Sequence, residues 1–147
     1  MKELTVKSPA FENNKLIPSK YTCDGEEVSP PLTVEGIPEK TKSLALIMED
    51  PDAPAGLFIH WLVWNIPPTD KIQENSVPGT EGLNTDKTNS YHGPCPPGGT
   101  HRYYFKVYAL DAHLNLGAFS DKEVLENAMQ NHILAHGELI GLYRRGK

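Results

Sequence analysis

The stretch of residues 43–66 reads SLALIMED-PDAPAG-LFIHWLVWNI and predicts the centre of a β-sheet. Its first segment is apolar with a polar end, and its last is rich in β-branched and aromatic residues, both typical of strands. The proline-rich connection between them is short enough to join two antiparallel strands. We therefore expect the end of one strand to lie beside the start of the next, with Asp50 and His60 as neighbours.

Strand patterns recur along the rest of the chain, whereas helical spacing occurs once. Residues 101–110 (HRYYFKVYAL) predict a third strong strand, and residues 4–8, 32–34 and 138–143 predict weaker ones. Residues 69–90 indicate a long polar loop. A capping-box pattern from Ser120 to Glu123, followed by apolar residues at helical spacing, predicts a helix over residues 121–134. Because the strands are not separated by helices, we predict a single mostly-β domain spanning 1–147, built as a sandwich.

Ionisable side chains stand at the ends of three apolar rows. Side chains alternate between the two faces of a strand, so Asp50 ends the row that contains Leu44, Leu46 and Met48. By the same alternation, His60 shares a face with Leu62 and Trp64, while His101 and Tyr103 begin the row on the third strand. Histidine and tyrosine donors beside a carboxylate predict a small anion site. Since the carboxylate favours charged histidines, we expect the site to bind anions more strongly at mildly acid pH.

Charge and composition exclude several classes of function. The net charge of -5 does not favour nucleic-acid binding, and no apolar run approaches the length of a transmembrane helix. Because the N-terminal residues lack an apolar signal-peptide core, we expect a cytoplasmic protein. Asp50, His60 and His101 have metal-binding side chains, but their spacing does not favour a metal site, and we predict no metal and no cofactor. We also expect no function for the remaining histidines: His92, His113, His132 and His136.

Three segments in order resemble the phosphatidylethanolamine-binding protein family, also called the Raf-kinase-inhibitor-like family. They are DPDAP at residues 50–54, HWLVWNIP at 60–67, and GPCPP at 93–97 followed by HRY at 101–103. The sequence YTCDG at residues 21–25 and the short chain are similar to the compact bacterial and archaeal branch. This resemblance implies a large and a small antiparallel sheet in a Greek-key-type sandwich, with a pocket at one end.

The resemblance also implies which residues form the pocket and what it binds. The implied ligand-binding residues are Asp50, Pro54, His60, Gly93, Pro94, His101 and Tyr103, with Asp52 as structural support. The implied ligand is phosphate, a phosphorylated headgroup or a small carboxylate. We further expect a cis bond between Ala53 and Pro54, and free thiols at Cys23 and Cys95 because a cytoplasmic protein is kept reduced.

Three functions are compatible with these residues. The leading hypothesis is a small-anion-binding protein, a homodimer and not an enzyme, that regulates a kinase-type partner. The second is a serine-protease inhibitor that uses a rigid loop near Pro94 or Pro30. The third is a hydrolase or lyase with His60 as the base and Asp50 orienting it, although the sequence has no G-x-S-x-G nucleophile motif.

Overall fold

The computed structural model describes residues 2–146, which form strands and one α-helix. The strands are β1 (Lys2–Glu3), β2 (Thr5–Lys7), β3 (Lys15–Leu16), β4 (Leu32–Glu35), β5 (Ser43–Asp50), β6 (Phe58–Ile66), β7 (Lys71–Ile72), β8 (Thr80–Glu81), β9 (His101–Leu110) and β10 (Ile133–Tyr143). The helix α1 covers Lys122–Met129, and a short 3-10 turn covers Ser19–Tyr21. The predicted mostly-β class is confirmed. No helix within these residues is long and apolar enough to cross a bilayer.

The strands form two sheets of unequal size, as the resemblance implied. The large sheet has the order β1-β10-β9-β5-β6-β8, and β3 also pairs with β10. Its central strands are antiparallel, whereas β1 and β3 run parallel to β10. The small sheet has the order β2-β4-β7. The β5–β6 hairpin predicted from residues 43–66 therefore lies within the large sheet.

Strand β5 is buried along its whole length because both faces of the large sheet are covered. On one face, Leu44, Leu46 and Met48 join a core that includes Leu32 and Val34 of the small sheet. On the other face, alternate residues of β5 pack in a second cluster with Leu125 and Met129 of α1. The uninterrupted apolar run of β5 follows from this double burial.

The predicted helix is shorter than expected and begins one residue later. Its N-cap is Asp121, whose carboxylate accepts a hydrogen bond from the backbone N–H of Val124 at 3.1 Å, so Ser120 is not the cap. At the other end, Gln130 takes an extended backbone conformation, and β10 starts at Ile133. The segment 69–90, which was predicted to be a loop, also contains two strands, β7 and β8, each only two residues long.

The expectation of free thiols is wrong, since Cys23 and Cys95 form a disulfide with their Cα atoms 5.4 Å apart. The backbone N–H of Cys23 donates to the carbonyl of Pro94 at 3.1 Å and holds the two segments side by side. Because the two cysteines are 72 positions apart in the sequence, their contact is a product of the tertiary fold. The bond joins the segment after the 3-10 turn to the proline-rich segment before β9.

We predict that this disulfide contributes substantially to stability. Replacing both residues, Cys23→Ser with Cys95→Ser, should lower the free energy of unfolding by about 4 kcal/mol, because the unfolded chain regains the freedom of a long loop. Urea denaturation of both proteins, with and without reductant, measures the effect. The double variant, which has no disulfide to reduce, should be insensitive to reductant. Equal stability of the two proteins without reductant, or alkylation of the folded wild type without reductant, would contradict the prediction.

Candidate functional site

A cavity of about 180 Å³ opens where β5 ends and where β6 and β9 begin. It is lined by Asp50, Ala53, Pro54, Phe58, His60, His92, Cys95, Pro96, Pro97, His101 and Tyr103. Five residues predicted to bind a ligand are among them: Asp50, Pro54, His60, His101 and Tyr103. This volume lies below the range of drug-sized pockets, so the cavity suits a small ligand or one group of a larger one.

A β-bulge in β6 brings His60 to the cavity. Met48 pairs with Trp61 and Glu49 pairs with Ile59, which leaves His60 as an extra residue without a partner on β5. Strict alternation predicted His60 on the face of Leu62 and Trp64, but that face packs against α1. The bulge shifts the alternation by one residue. The predicted row was therefore wrong, although the predicted proximity of His60 to the end of β5 is correct.

Asp50 and His101 form a buried pair at the base of the cavity. His101 Nδ1 lies 2.7 Å from Asp50 Oδ2, and the two residues are only 6% and 3% exposed. The other oxygen, Asp50 Oδ1, accepts a hydrogen bond from the backbone N–H of Asp52 at 2.7 Å. Both carboxylate oxygens are thus held in place. The pair orients the His101 ring and leaves its Nε2 as the nitrogen that can meet a ligand.

His60 is held differently, by a backbone carbonyl. Its Nδ1 lies 2.6 Å from the carbonyl oxygen of His92. Since a carbonyl can only accept a hydrogen bond, Nδ1 carries the proton and donates it. Burial lowers the pKa of His60 to about 4, against the opposing effect of this hydrogen bond and of the Asp50 charge. At neutral pH His60 is therefore uncharged, and its Nε2 is an acceptor.

This charge state corrects the expectation that Asp50 keeps both histidines charged. Asp50 contacts His101 directly, whereas for His60 the cost of burying a charge exceeds the attraction of the carboxylate. Tyr103 stands between them, with its ring 5.3 Å from that of His60. Burial, followed by the negative charge of Asp50, raises the pKa of Tyr103, so its hydroxyl remains protonated.

His92, which was expected to have no function, lies at the cavity. Its carbonyl fixes the ring of His60, and its own ring packs 5.2 Å from that of Phe58. Its Nε2 lies 3.0 Å from a carboxylate oxygen of Asp86. No spacing rule could have identified His92, because it acts on His60 through the backbone and from 32 positions away.

Gly93 and Pro94, both predicted to contact the ligand, lie behind the cavity and do not line it. The backbone N–H of Gly93 donates to a carboxylate oxygen of Glu27 at 3.0 Å, so it is already engaged. A Cβ atom at Gly93 would meet the carbonyl oxygen of Tyr21 at 2.9 Å, which explains the glycine by packing. The following residues, 95–97, form the lip in their place.

Asp52 supports the site from outside the cavity. Its carboxylate accepts two side-chain hydrogen bonds from Arg102, each 2.9 Å, and one from the backbone N–H of Arg102. The hydrogen bond from the guanidinium is the main cause that lowers the pKa of Asp52 to about 2. These contacts fasten the turn after β5 to the start of β9. Asp52 thereby holds together the two strand ends that carry Asp50 and His101.

The turn after β5 does not contain the expected cis bond. No peptide bond within residues 2–146 is cis, so the bond between Ala53 and Pro54 is trans. The chain reverses instead at Gly56, which has a φ of 110° and donates to the carbonyl of Ala53 at 3.0 Å. Within the same residues, no three His, Cys, Asp or Glu side chains are grouped so that they could hold a metal ion.

Comparison with known proteins agrees with this fold. The sequence model of the phosphatidylethanolamine-binding protein family matches residues 7–144. The chain therefore belongs to this family, as its motifs indicated.

Its relatives are bacterial and archaeal. The chain is 53% identical to a UPF0098 protein of Archaeoglobus fulgidus over 99% of its own length, but spans only about half (53%) of that protein. It is 48% identical to a UPF0098 protein of Methanothermobacter thermautotrophicus, of which it covers 100%, with 97% of this chain matched.

Two crystal structures show the same fold. The putative phosphatidylethanolamine-binding protein homologue CT736 of Chlamydia trachomatis has a TM-score of 0.95 and 42% identity, covering 99% of this chain and 100% of its own. Escherichia coli YbcL, described as a new member of the mammalian family, has a TM-score of 0.89 and 28% identity, covering 98% of this chain and 99% of its own.

The low pKa of His60 predicts a loss of stability in acid. In the unfolded chain the histidine takes up a proton near pH 6.5, whereas in the folded protein it does so only near pH 4. Its contribution to the free energy of unfolding is therefore present above pH 6.5 and should fall by about 3 kcal/mol between pH 6.5 and 4.

Urea denaturation at a series of pH values tests this for the wild type and for His60→Gln. Glutamine is neutral throughout this range, so the variant should lose about 3 kcal/mol less than the wild type. The exposed His113 provides the matched control, and His113→Gln should follow the wild type. The prediction fails if His60→Gln and the wild type show the same dependence on pH.

Proposed function

We propose that this protein binds a small anion, such as phosphate, a phosphorylated headgroup or a carboxylate, in the cavity at the end of β5. The observation that carries the proposal is the pair of buried histidines with their Nδ1 atoms engaged by fixed acceptors. His60 is held by the carbonyl of His92 and His101 by Asp50, so each ring has its Nε2 left for a ligand. Such pre-oriented polar groups in a small cavity are typical of a ligand site.

The donors available to an anion come from β9. His101 is held through Nδ1 by the Asp50 carboxylate at 2.7 Å, which leaves its Nε2 for a ligand; in an imidazolium this nitrogen is a donor. The hydroxyl of Tyr103 stays protonated and hydrogen-bonds with the Asp50 carboxylate; turned toward an anion, it is a neutral donor. A protonated His101 also offsets the negative charge of Asp50, which would otherwise repel an anion.

The relatives support the phosphorylated form of this ligand. The family is named for binding phosphatidylethanolamine, a phosphate diester, and CT736 is described as a putative homologue, so the relatives support a phosphate group whatever its esterification. The cavity of about 180 Å³ accommodates a headgroup-sized molecule. We propose free phosphate or a phosphorylated small molecule as the ligand class, with carboxylates as weaker competitors.

The structure bears differently on the two alternative functions. A protease inhibitor requires an exposed loop near Pro30 or Pro94; both prolines are buried, whereas residues 97–100 are exposed, so this function stays a prediction. A hydrolase required Asp50 to orient His60 as a base, but Asp50 contacts His101 instead. We therefore propose a binding protein and not an enzyme.

The regulated partner, the homodimer and the cytoplasmic location stay predictions. Disulfides persist mainly in oxidising compartments, with the intracellular proteins of hyperthermophiles as an exception. The Cys23–Cys95 bond is thus compatible with a cytoplasmic protein of such an organism. A kinase-type partner would be controlled through the pocket, by contacts that depend on whether the ligand is bound.

Calorimetric titration with orthophosphate at pH 6 tests the proposal. His101→Gln should bind at least tenfold more weakly, because it loses the imidazole that can donate to the anion and leaves the carboxylate of Asp50 without its partner. His113→Gln, altered at an exposed position, should bind as the wild type does. The proposal is rejected if the wild type does not bind phosphate, or if His101→Gln binds it unchanged.

A further inference from the structure

The cavity offers an anion fewer positive charges than a phosphate site usually has. Of its lining residues, none is lysine or arginine. The carboxylate of Asp50 is balanced by at most one positive charge, that of the His101 ring when it is protonated. A dianion would therefore enter a cavity with no net positive charge, whereas a monoanion asks for less compensation.

His60 also distinguishes a protonated anion from an unprotonated one, through the hydrogen bond that its free ring nitrogen can accept. Its Nδ1 proton is committed to the carbonyl of His92, and the ring is 4% exposed. Its Nε2 has no hydrogen-bond partner within residues 2–146 and, in the neutral ring, is an acceptor. An unprotonated oxygen of an anion facing this atom would be repelled, whereas a hydroxyl would donate to it.

We propose that the pocket selects anions that carry their own proton, above all the monoanion of a phosphate monoester. Its P–OH donates to Nε2 of His60, while its unprotonated oxygens accept from Nε2–H of His101 and the hydroxyl of Tyr103. This inference rests on the proposed anion-binding function and narrows the ligand class. Phosphate diesters have no such proton, so they leave His60 without a donor.

Several titratable groups face His60 and set its charge. They come from β5, from β9 and from the segment before Gly93, and are Asp50, His101, Tyr103, His92 and Asp86. A change in the charge of any of them alters the binding of every anion alike. The ionisation of the ligand is a separate effect, because the pH at which the ligand loses its proton differs from one ligand to another.

The ligand's own ionisation therefore separates the two effects. A phosphate monoester loses its second proton near pH 6, so its affinity should fall about tenfold for each pH unit well above that value. Methylphosphonate, whose second ionisation lies higher, should retain its affinity to a correspondingly higher pH. Dimethyl phosphate has no second ionisation, and its pH profile reports only the groups of the protein.

Calorimetry with methyl phosphate, methylphosphonate and dimethyl phosphate, each from pH 5 to 9, provides the test. We expect methyl phosphate to bind at least tenfold more tightly than dimethyl phosphate at pH 6. We also expect the affinity of methylphosphonate to fall at a higher pH than that of methyl phosphate, so that the midpoints of their pH profiles differ. Equal midpoints, or equal affinity for the monoester and the diester, would overturn the inference and leave the anion-binding function intact. Failure of all three to bind at any pH would overturn both.

A variant of His60 tests the atom involved. His60→Gln can turn either an amide N–H or a carbonyl oxygen toward the ligand, so its preference for methyl phosphate over dimethyl phosphate should shrink toward unity. His113→Gln should keep the full preference. Circular dichroism at pH 6 confirms that the variants are folded. An unchanged preference in folded His60→Gln would contradict the role given to His60.

Discussion

The extra residue in β6 is the constraint on which the site depends. Without the bulge opposite Met48 and Glu49, His60 would follow the row of Leu62 and Trp64 and pack beneath the helix. With the bulge, a polar ring that would be costly in that apolar layer lies instead in a cavity that it shares with Tyr103. The hairpin has a second register shift farther from the site, between Leu44 and Leu46, and the turn after β5 brings the two strand ends together.

Two kinds of hydrogen bond divide the histidines by charge. A carboxylate, which can neutralise an imidazolium, holds His101, whereas a neutral carbonyl holds His60 and offers no comparable compensation for a buried charge. One ring is thereby suited to donate to a ligand and the other to accept from it. Asp52 keeps this arrangement in place from outside, through Arg102 at the start of β9.

Much of this architecture could be predicted from the sequence, because it depends on local patterns. The strands at Ser43–Asp50 and His101–Leu110 were predicted with their exact bounds, and the motifs identified the family. A bulge, however, is a property of the register between two strands, and strict alternation within one strand cannot reveal it. The contacts of His92 were missed because they join segments far apart in the chain. The Cys23–Cys95 bond was missed because a reducing compartment was assumed.

A crystal structure of the protein grown with phosphate near pH 6 tests the central claim most directly, which is that the bulge and the two fixed histidines form one anion site. The account predicts a phosphate in the cavity of about 180 Å³, with one oxygen at hydrogen-bond distance from Nε2 of His60 and another from Nε2 of His101. A cavity without phosphate, or a His60 ring turned away from the carbonyl of His92, would contradict it.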